Sequence, residues 1–192
     1  MVKKDSSFKS LKDVITYAKA NPGKLKWSTS VQRGGPHVAV EAMFKAEGAK
    51  ATFVPFKGGS KARAALVSQS VESVFGGNNT IAGFEDTIRP LATAGAGRDT
   101  TMKDLPTFAE QGMEGADFTG LFCLFAPKGV PEEVKTKVGA AIKHIAGIKG
   151  FKKFMKKNNL AAFETDAKAA VAAQNVMYKT MGPVVAKILA SQ

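Results

Sequence analysis

KWSTSVQRGGPHVAVEAMF, residues 26–44, is the stretch whose reading decides the fold. A short β-prone segment, Leu25 to Ser28, gives way to a turn of small and polar residues, Ser28 to Gly35, and an apolar-periodic helix opens near Pro36. The order is strand, turn, helix N-terminus. The first N–H groups of a helix have no intrahelical partner and carry the positive end of its dipole, so hydroxyls and a cation beside them suit an anionic group. The candidate contacts are Ser28, Thr29, Ser30, Gln32, Arg33, Gly34 and His37. The same residues also fit an ordinary βα turn whose glycines and hydroxyls only cap the helix. This stretch alone leaves both readings open.

Working outward, the theme recurs. Ala51 to Phe56, ATFVPF, reads as a buried strand, followed by a glycine turn, Lys57, Gly58, Gly59 and Ser60, in which Ser60 is placed to cap a helix over 61–69. Ala62, Ala65 and Leu66 share one face of that helix. Val71 to Phe75 is a further strand that opens into Gly76, Gly77, Asn78 and Asn79, with Asn79 or Thr80 as cap of a brief helix. Three strand-to-helix turns therefore look alike. In an open α/β sheet such turns gather at the carboxyl ends of the strands, in the crevice where ligands bind. Lys57, Gly58, Gly59, Ser60, Gly77 and Asn78 join the candidate site on that ground.

Upstream, Ser10 and Asp13 match a capping box, and Leu11, Val14, Ile15 and Ala18 repeat at helical spacing until Asn21-Pro22-Gly23. In the helix after the organising turn, Val38, Ala42 and Phe44 to Ala46 are expected to form the apolar side, ending at Gly48. Downstream, Ile88 to Ala94 reads as a strand, Leu105 to Gly112 as a short helix, and Phe118 to Phe125 as a long apolar strand. Past Pro127 the texture changes. Pro131 starts a helix with Glu132 and Glu133 in its first turn, and Val134, Val138, Ala141, Ile142 and Ile145 mark the stripe expected to be buried. Two more helices, about 150–158 and 165–190, close the chain.

The 192 residues suffice for one fair-sized domain or two small lobes without disulfides. The formal charge of +12 points to an anionic partner without choosing between a small carboxylate, nucleic acid and a membrane surface. Cys123, the single cysteine, lies in an apolar run and reads as a small buried hydrophobe. Neither His37 nor His144 has a second ligand at metal spacing, there is no G-x-S-x-G, and neither phosphate-binding glycine pattern occurs. No metal or cofactor is expected, and no acid, base and nucleophile converge as an enzyme requires. Lys149, Lys152, Lys153, Lys156 and Lys157 share one helical face opposite Ile148, Phe151, Phe154 and Met155, which reads as a solvated face on a docked amphipathic helix. No nucleic-acid recognition motif accompanies that charge.

Four ordered blocks carry a resemblance: SFKSLKDVITYAKANPGKLKWSTS, VPFKGGSKARAALVSQSVE, IRPLATAGAGRDTTMKDLPTFAEQGMEG and GLFCLFAPKGVPEEV. From Ser6 onward the chain resembles the substrate-receptor proteins of tripartite tricarboxylate transporters, the Bug-type receptors. The resemblance implies an α/β fold of the periplasmic-binding-protein type II kind that holds a small carboxylate between two lobes without catalysis. It places Ser30 on the family's serine, His37 on its histidine, and Val54 to Gly59 on its VPY-K-G-G segment, and it gives Pro106, Thr107, Glu110, Gln111 and Gly112 an architectural part. The LysR-type regulators share the two-lobe topology, but the four blocks fit the receptors better.

Two departures stand out. Val31 and Arg33 replace family glycines in the first turn, so an amide cradle is partly blocked while Arg33 offers a cation. The chain also begins where the family's second lobe begins. The implied organisation is one complete Rossmann-like lobe at 6–116 and, at 117–192, a crossover strand with the C-terminal helices of an incomplete second lobe. Those helices are then expected to expose an apolar stripe that favours a homo-oligomer or a collapsed single domain. The expected function is binding of a di- or tricarboxylate or an acidic amino acid, with membrane transporter subunits as partners. The second expectation is a receptor fragment without ligand binding that acts as an oligomeric or interaction protein. The family implies the periplasm; the chain as written shows no signal peptide, which implies the cytoplasm.

Overall fold

The computed structural model describes residues 1–95, 97–113, 118, 120, 122–161 and 167–189. Strands β1 (Val2–Lys3), β2 (Lys26–Thr29), β3 (Thr52–Phe53), β4 (Ser73–Phe75) and β5 (Ile88–Arg89) form one sheet in the order β3-β2-β4-β1-β5. β2 runs parallel to both β3 and β4, with Trp27 opposite Phe53 and Thr29 opposite Phe75. β1 is antiparallel to β4 and β5. From β2 the chain passes to β3 on one side and then crosses back to β4 on the other. The carboxyl end of β2 is thus a topological switch point, where an α/β sheet leaves a crevice.

Helices α1 (Leu11–Ala20) and α2 (Gly35–Ala46) cover one face, and α3 (Gly59–Val67) belongs to the other. On the first face Leu11, Val14, Ile15 and Ala18 meet Leu25, Trp27, Met43 and Phe44. On the second, Ala62, Ala65 and Leu66 pack with Val71, Val74, Ile81 and Ile88. The capping box of α1 is complete: Ser10 Oγ accepts from Asp13 N–H at 3.1 Å, and Asp13 Oδ2 accepts from Ser10 N–H at 2.9 Å. The threonine, glutamate, glutamine and glycine block ties the start of α1 to the segment after β5. Gln111 accepts from Leu11 N–H at 2.9 Å and donates to Leu91 O at 2.8 Å, and Thr107 and Glu110 bond each other reciprocally.

Several expectations are corrected. The buried side of α2 is Ala39, Val40, Met43 and Phe44, with Val38 and Ala42 only half-buried. β3 is an edge strand of two residues with Thr52 exposed, because Pro55 supplies no N–H to extend the ladder. The strand over 88–94 shrinks to β5 and a lone bridge from Thr93 to Thr107. α3 starts one residue before Ser60; Gly58, at φ +95°, is its N-cap and no side chain caps it. Gly77 likewise precedes a 3-10 turn, Asn78–Thr80. The described part of the run 118–125 holds no strand, Phe122 is 87% exposed, and Cys123 is half-buried with Gln174 Nε2 at 3.7 Å from its sulfur. The strand β1, only two residues long and too short for any periodicity, has no counterpart in the sequence reading.

Beyond residue 131 lie α4 (Glu132–Gly147), α5 (Lys149–Lys157) and α6 (Ala167–Leu189). α6 packs along α2, and α4 meets α5. The α4 stripe, which its periodicity marks for burial and the resemblance leaves exposed, stands open: Val134, Val138, Ile142 and Ile145 are all exposed, Ile142 by 45%. On α5, Phe154 is exposed while Phe151 and Met155 are half-buried, so its aromatics are docked only in part.

Candidate functional site

The three turns stand at the carboxyl ends of β2, β3 and β4. The first two are in contact: Gly58 N–H donates to Ser30 O at 3.0 Å, and a Cβ placed on Gly59 would lie 3.8 Å from Ser30 Cβ. With φ at +95°, Gly58 is closed to ordinary side chains, which favours glycine where the two turns meet. The third turn lies across β2, with Asn79 Oδ1 2.7 Å from the place of a Cβ on Gly77. Phe118 links both sides. Its ring stands against Gly35, with Cε2 2.4 Å from the place of a Cβ there, and 6.4 Å from Phe75 between centroids.

The hydroxyls of the first turn are used differently. Ser28 is fully buried, and its Oγ donates to Val54 O at 2.7 Å, which ties β2 to the segment after β3. Thr29 is fully buried too, yet Oγ1 has no hydrogen-bond partner among the described residues. Ser30 is half-buried at the junction with the second turn. Gln32, Arg33, Lys57, Gly58 and Ser60 are exposed and Gly34, Gly59 and Asn78 are half-buried, while Gly77 is exposed at the third turn. Gly34 is the N-cap of α2; its carbonyl accepts from Val38 N–H at 3.1 Å, and no side chain caps the helix.

His37 is held on every side. Its Nδ1 accepts from Arg33 N–H at 2.8 Å, which leaves the ring proton on Nε2, 3.2 Å from Glu41 Oε1. The ring stacks on Phe53 at 3.8 Å between centroids and meets Trp27 edge-on at 5.3 Å. Arg33 itself has φ +60°, a left-handed conformation uncommon for a side-chain-bearing residue, and its guanidinium has no ion pair among the described residues. The sequence reading named both residues without their bond. The signal was the i, i+4 spacing of Arg33, His37 and Glu41 through the helix start. Phe118 was missed because its run read as a strand. Among the described residues no group of three His, Cys, Asp or Glu side chains is placed to hold a metal ion, and no helix is long and apolar enough to cross a membrane.

A profile described as "Tripartite tricarboxylate transporter family receptor" matches residues 1–189. The chain belongs to this family. Among curated relatives, the "UPF0065 protein in gbd 5'region" of Cupriavidus necator is 29% identical over 164 residues, which is 85% of this chain and 50% of that protein. A solved "periplasmic transporter" superposes with a TM-score of 0.84 at 26% identity, over 97% of this chain and 63% of that one. The Rhodopseudomonas palustris protein Rpa4515, solved with adipate, gives 0.78 at 24% identity, over 94% and 64%. The chain therefore spans about half the length of this curated relative and under two thirds of these solved structures. The fold is the α/β fold of these periplasmic-binding-protein-like structures.

Proposed function

We propose that the crevice at the end of β2 binds a small carboxylate, and that the chain serves as part of a transporter's substrate receptor without catalysing a reaction. The observation that carries this reading is the junction of Ser30 with Gly58 and Gly59, which brings two strand-to-helix turns together at the switch point. The helix starts there favour an anion, and the exposed Arg33 and Lys57 add positive charge. A dicarboxylate is the favoured class, given the adipate complex of a similarly folded protein. The ligand-binding lobe in this proposal is 6–116 together with the strand Val2–Lys3, and 117–192 is the remainder. Work in the periplasm beside membrane transporter subunits follows from the family. An interaction protein without ligand binding finds no support in the family or its solved members.

The test is a thermal-shift and calorimetric screen of mono-, di- and tricarboxylates and acidic amino acids. A ligand at a hundred times its Kd adds about 2.7 kcal/mol, which raises the midpoint of a chain this long by roughly 5 °C or more. Selective shifts abolished by Ser30→Ala are expected; no shift with any acid refutes the reading.

A further inference from the structure

We infer that His37 acts as a positioning residue for Arg33, and that the pair makes this turn select ligands bearing a second carboxylate. The inference rests on the receptor reading above and specifies its ligand class. Three observations converge. First, the Arg33 N–H, which an open turn would offer to an anion, is already consumed by His37 Nδ1 at 2.8 Å. Second, that bond holds Arg33 at φ +60°, a conformation that raises the energy of any residue with a Cβ and therefore needs a restraint. Third, the imidazole cannot swing away. It stacks on Phe53 at 3.8 Å, meets Trp27, and shares its remaining nitrogen with Glu41 at 3.2 Å. The turn has given up an amide and presents a guanidinium.

The chemical difference between those two donors sets the specificity. An amide adds one weak donor to any acid, whereas a guanidinium carries full charge and can take both oxygens of a carboxylate. The junction of Ser30 with Gly58 and Gly59 already suits one carboxylate. A cation three residues further along the same turn, its backbone held by His37, rewards a second one and adds far less for a chain that ends in a methyl group.

Adipate and hexanoate, equal in length and differing in that terminal group, are the probes. The wild-type chain is expected to bind adipate at least tenfold more tightly than hexanoate at low salt. Arg33→Ala should remove that preference, weakening adipate far more than hexanoate. His37→Phe keeps the ring stack on Phe53 but has no acceptor for the Arg33 N–H, so it too should lose the preference. His37→Asn places a carbonyl oxygen near the position of Nδ1 and should restore it. In the Arg33→Ala background His37→Phe should have no further effect on adipate, a non-additivity that a purely structural histidine would not produce. If His37→Phe does not melt cooperatively, Arg33→Gly decides: glycine adopts φ +60° freely, so the midpoint should hold or rise while the adipate preference disappears. Adipate binding by the wild type that His37→Phe leaves intact, or that falls additively in the double variant, overturns the inference alone. Absence of binding of either acid to the wild type overturns the receptor reading and the inference with it.

Discussion

Gly35→Ala measures what Phe118 does at the start of α2. A methyl group at this position would lie 2.4, 3.1 and 3.3 Å from Cε2, Cζ and Cδ2 of the Phe118 ring. Ordinary carbon contacts are about 3.5 Å or more, so the ring must retreat by roughly 1 Å. Its retreat weakens the edge contact with Phe75, now at 6.4 Å between centroids. An aromatic pair of this kind contributes about 0.5–1.5 kcal/mol beyond area burial. Against that loss, alanine in a helix gains about 0.5–1 kcal/mol over glycine. The two terms nearly cancel in the wild-type background, so the single variant is uninformative. In a Phe118→Ala background the obstructing atoms are gone and only the gain remains. Urea unfolding of the four proteins should give a coupling of about 1 kcal/mol or more, with Gly35→Ala stabilising when residue 118 is alanine. Equal effects in both backgrounds, within about 0.5 kcal/mol, refute the packing of Phe118 on this helix start.

Three further outcomes are expected. Thr29→Val keeps the shape of a fully buried side chain and removes an oxygen without a partner, so it should stabilise the ligand-free chain by about 1 kcal/mol in a thermal melt; destabilisation would mean that the hydroxyl is satisfied. The Lys9 and Ser10 amides hold the Asp13 carboxyl below its ordinary pKa, and the Thr107 amide with Arg98 does the same for Glu110. Their folded values lie below their unfolded ones, so the associated stability is complete above the ordinary carboxylate range and is lost as pH falls through it. The midpoint should drop further below about pH 4, less steeply in Glu110→Gln; equal slopes would refute the assignment. A hydrophobic dye should bind the stripe of Val138, Ile142 and Ile145, and Ile142→Lys with Ile145→Lys should cut its fluorescence by half or more, as expected for a continuous apolar surface.

How much of this was legible depended on whether the deciding interaction was local. The capping box of Ser10 and Asp13 and the stripe from Leu11 to Ala18 were readable because partner and pattern lie within one helix. The three glycine turns were readable for the same reason. The sequence could not tell that ATFVPF sits at an edge, because an apolar run looks alike at the centre and at the rim of a sheet. Small residues on both flanks of α2 let the buried side be placed one position off. Amphipathy in α4 showed that a face wants cover; whether cover exists is a tertiary fact. Phe118 reaches Gly35 across more than eighty residues, beyond any periodicity.

The first turn shows why neither reading of the opening stretch was complete. Its consecutive hydroxyls do three jobs: Ser28 bonds into the sheet, Thr29 sits buried with its oxygen unmatched, and Ser30 meets the second turn. No side chain caps α2, so these hydroxyls are not capping residues as an ordinary βα turn would require. A sequence selected for stability alone would place valine at 29, glycine at 33 and a capping serine or aspartate at 34. This chain has an unsatisfied threonine, a left-handed arginine and an uncapped glycine, all within six residues of one switch point. Local costs gathered at one crevice are what the proposed carboxylate site would leave in this fold, because groups held ready for a ligand are not all satisfied by the protein.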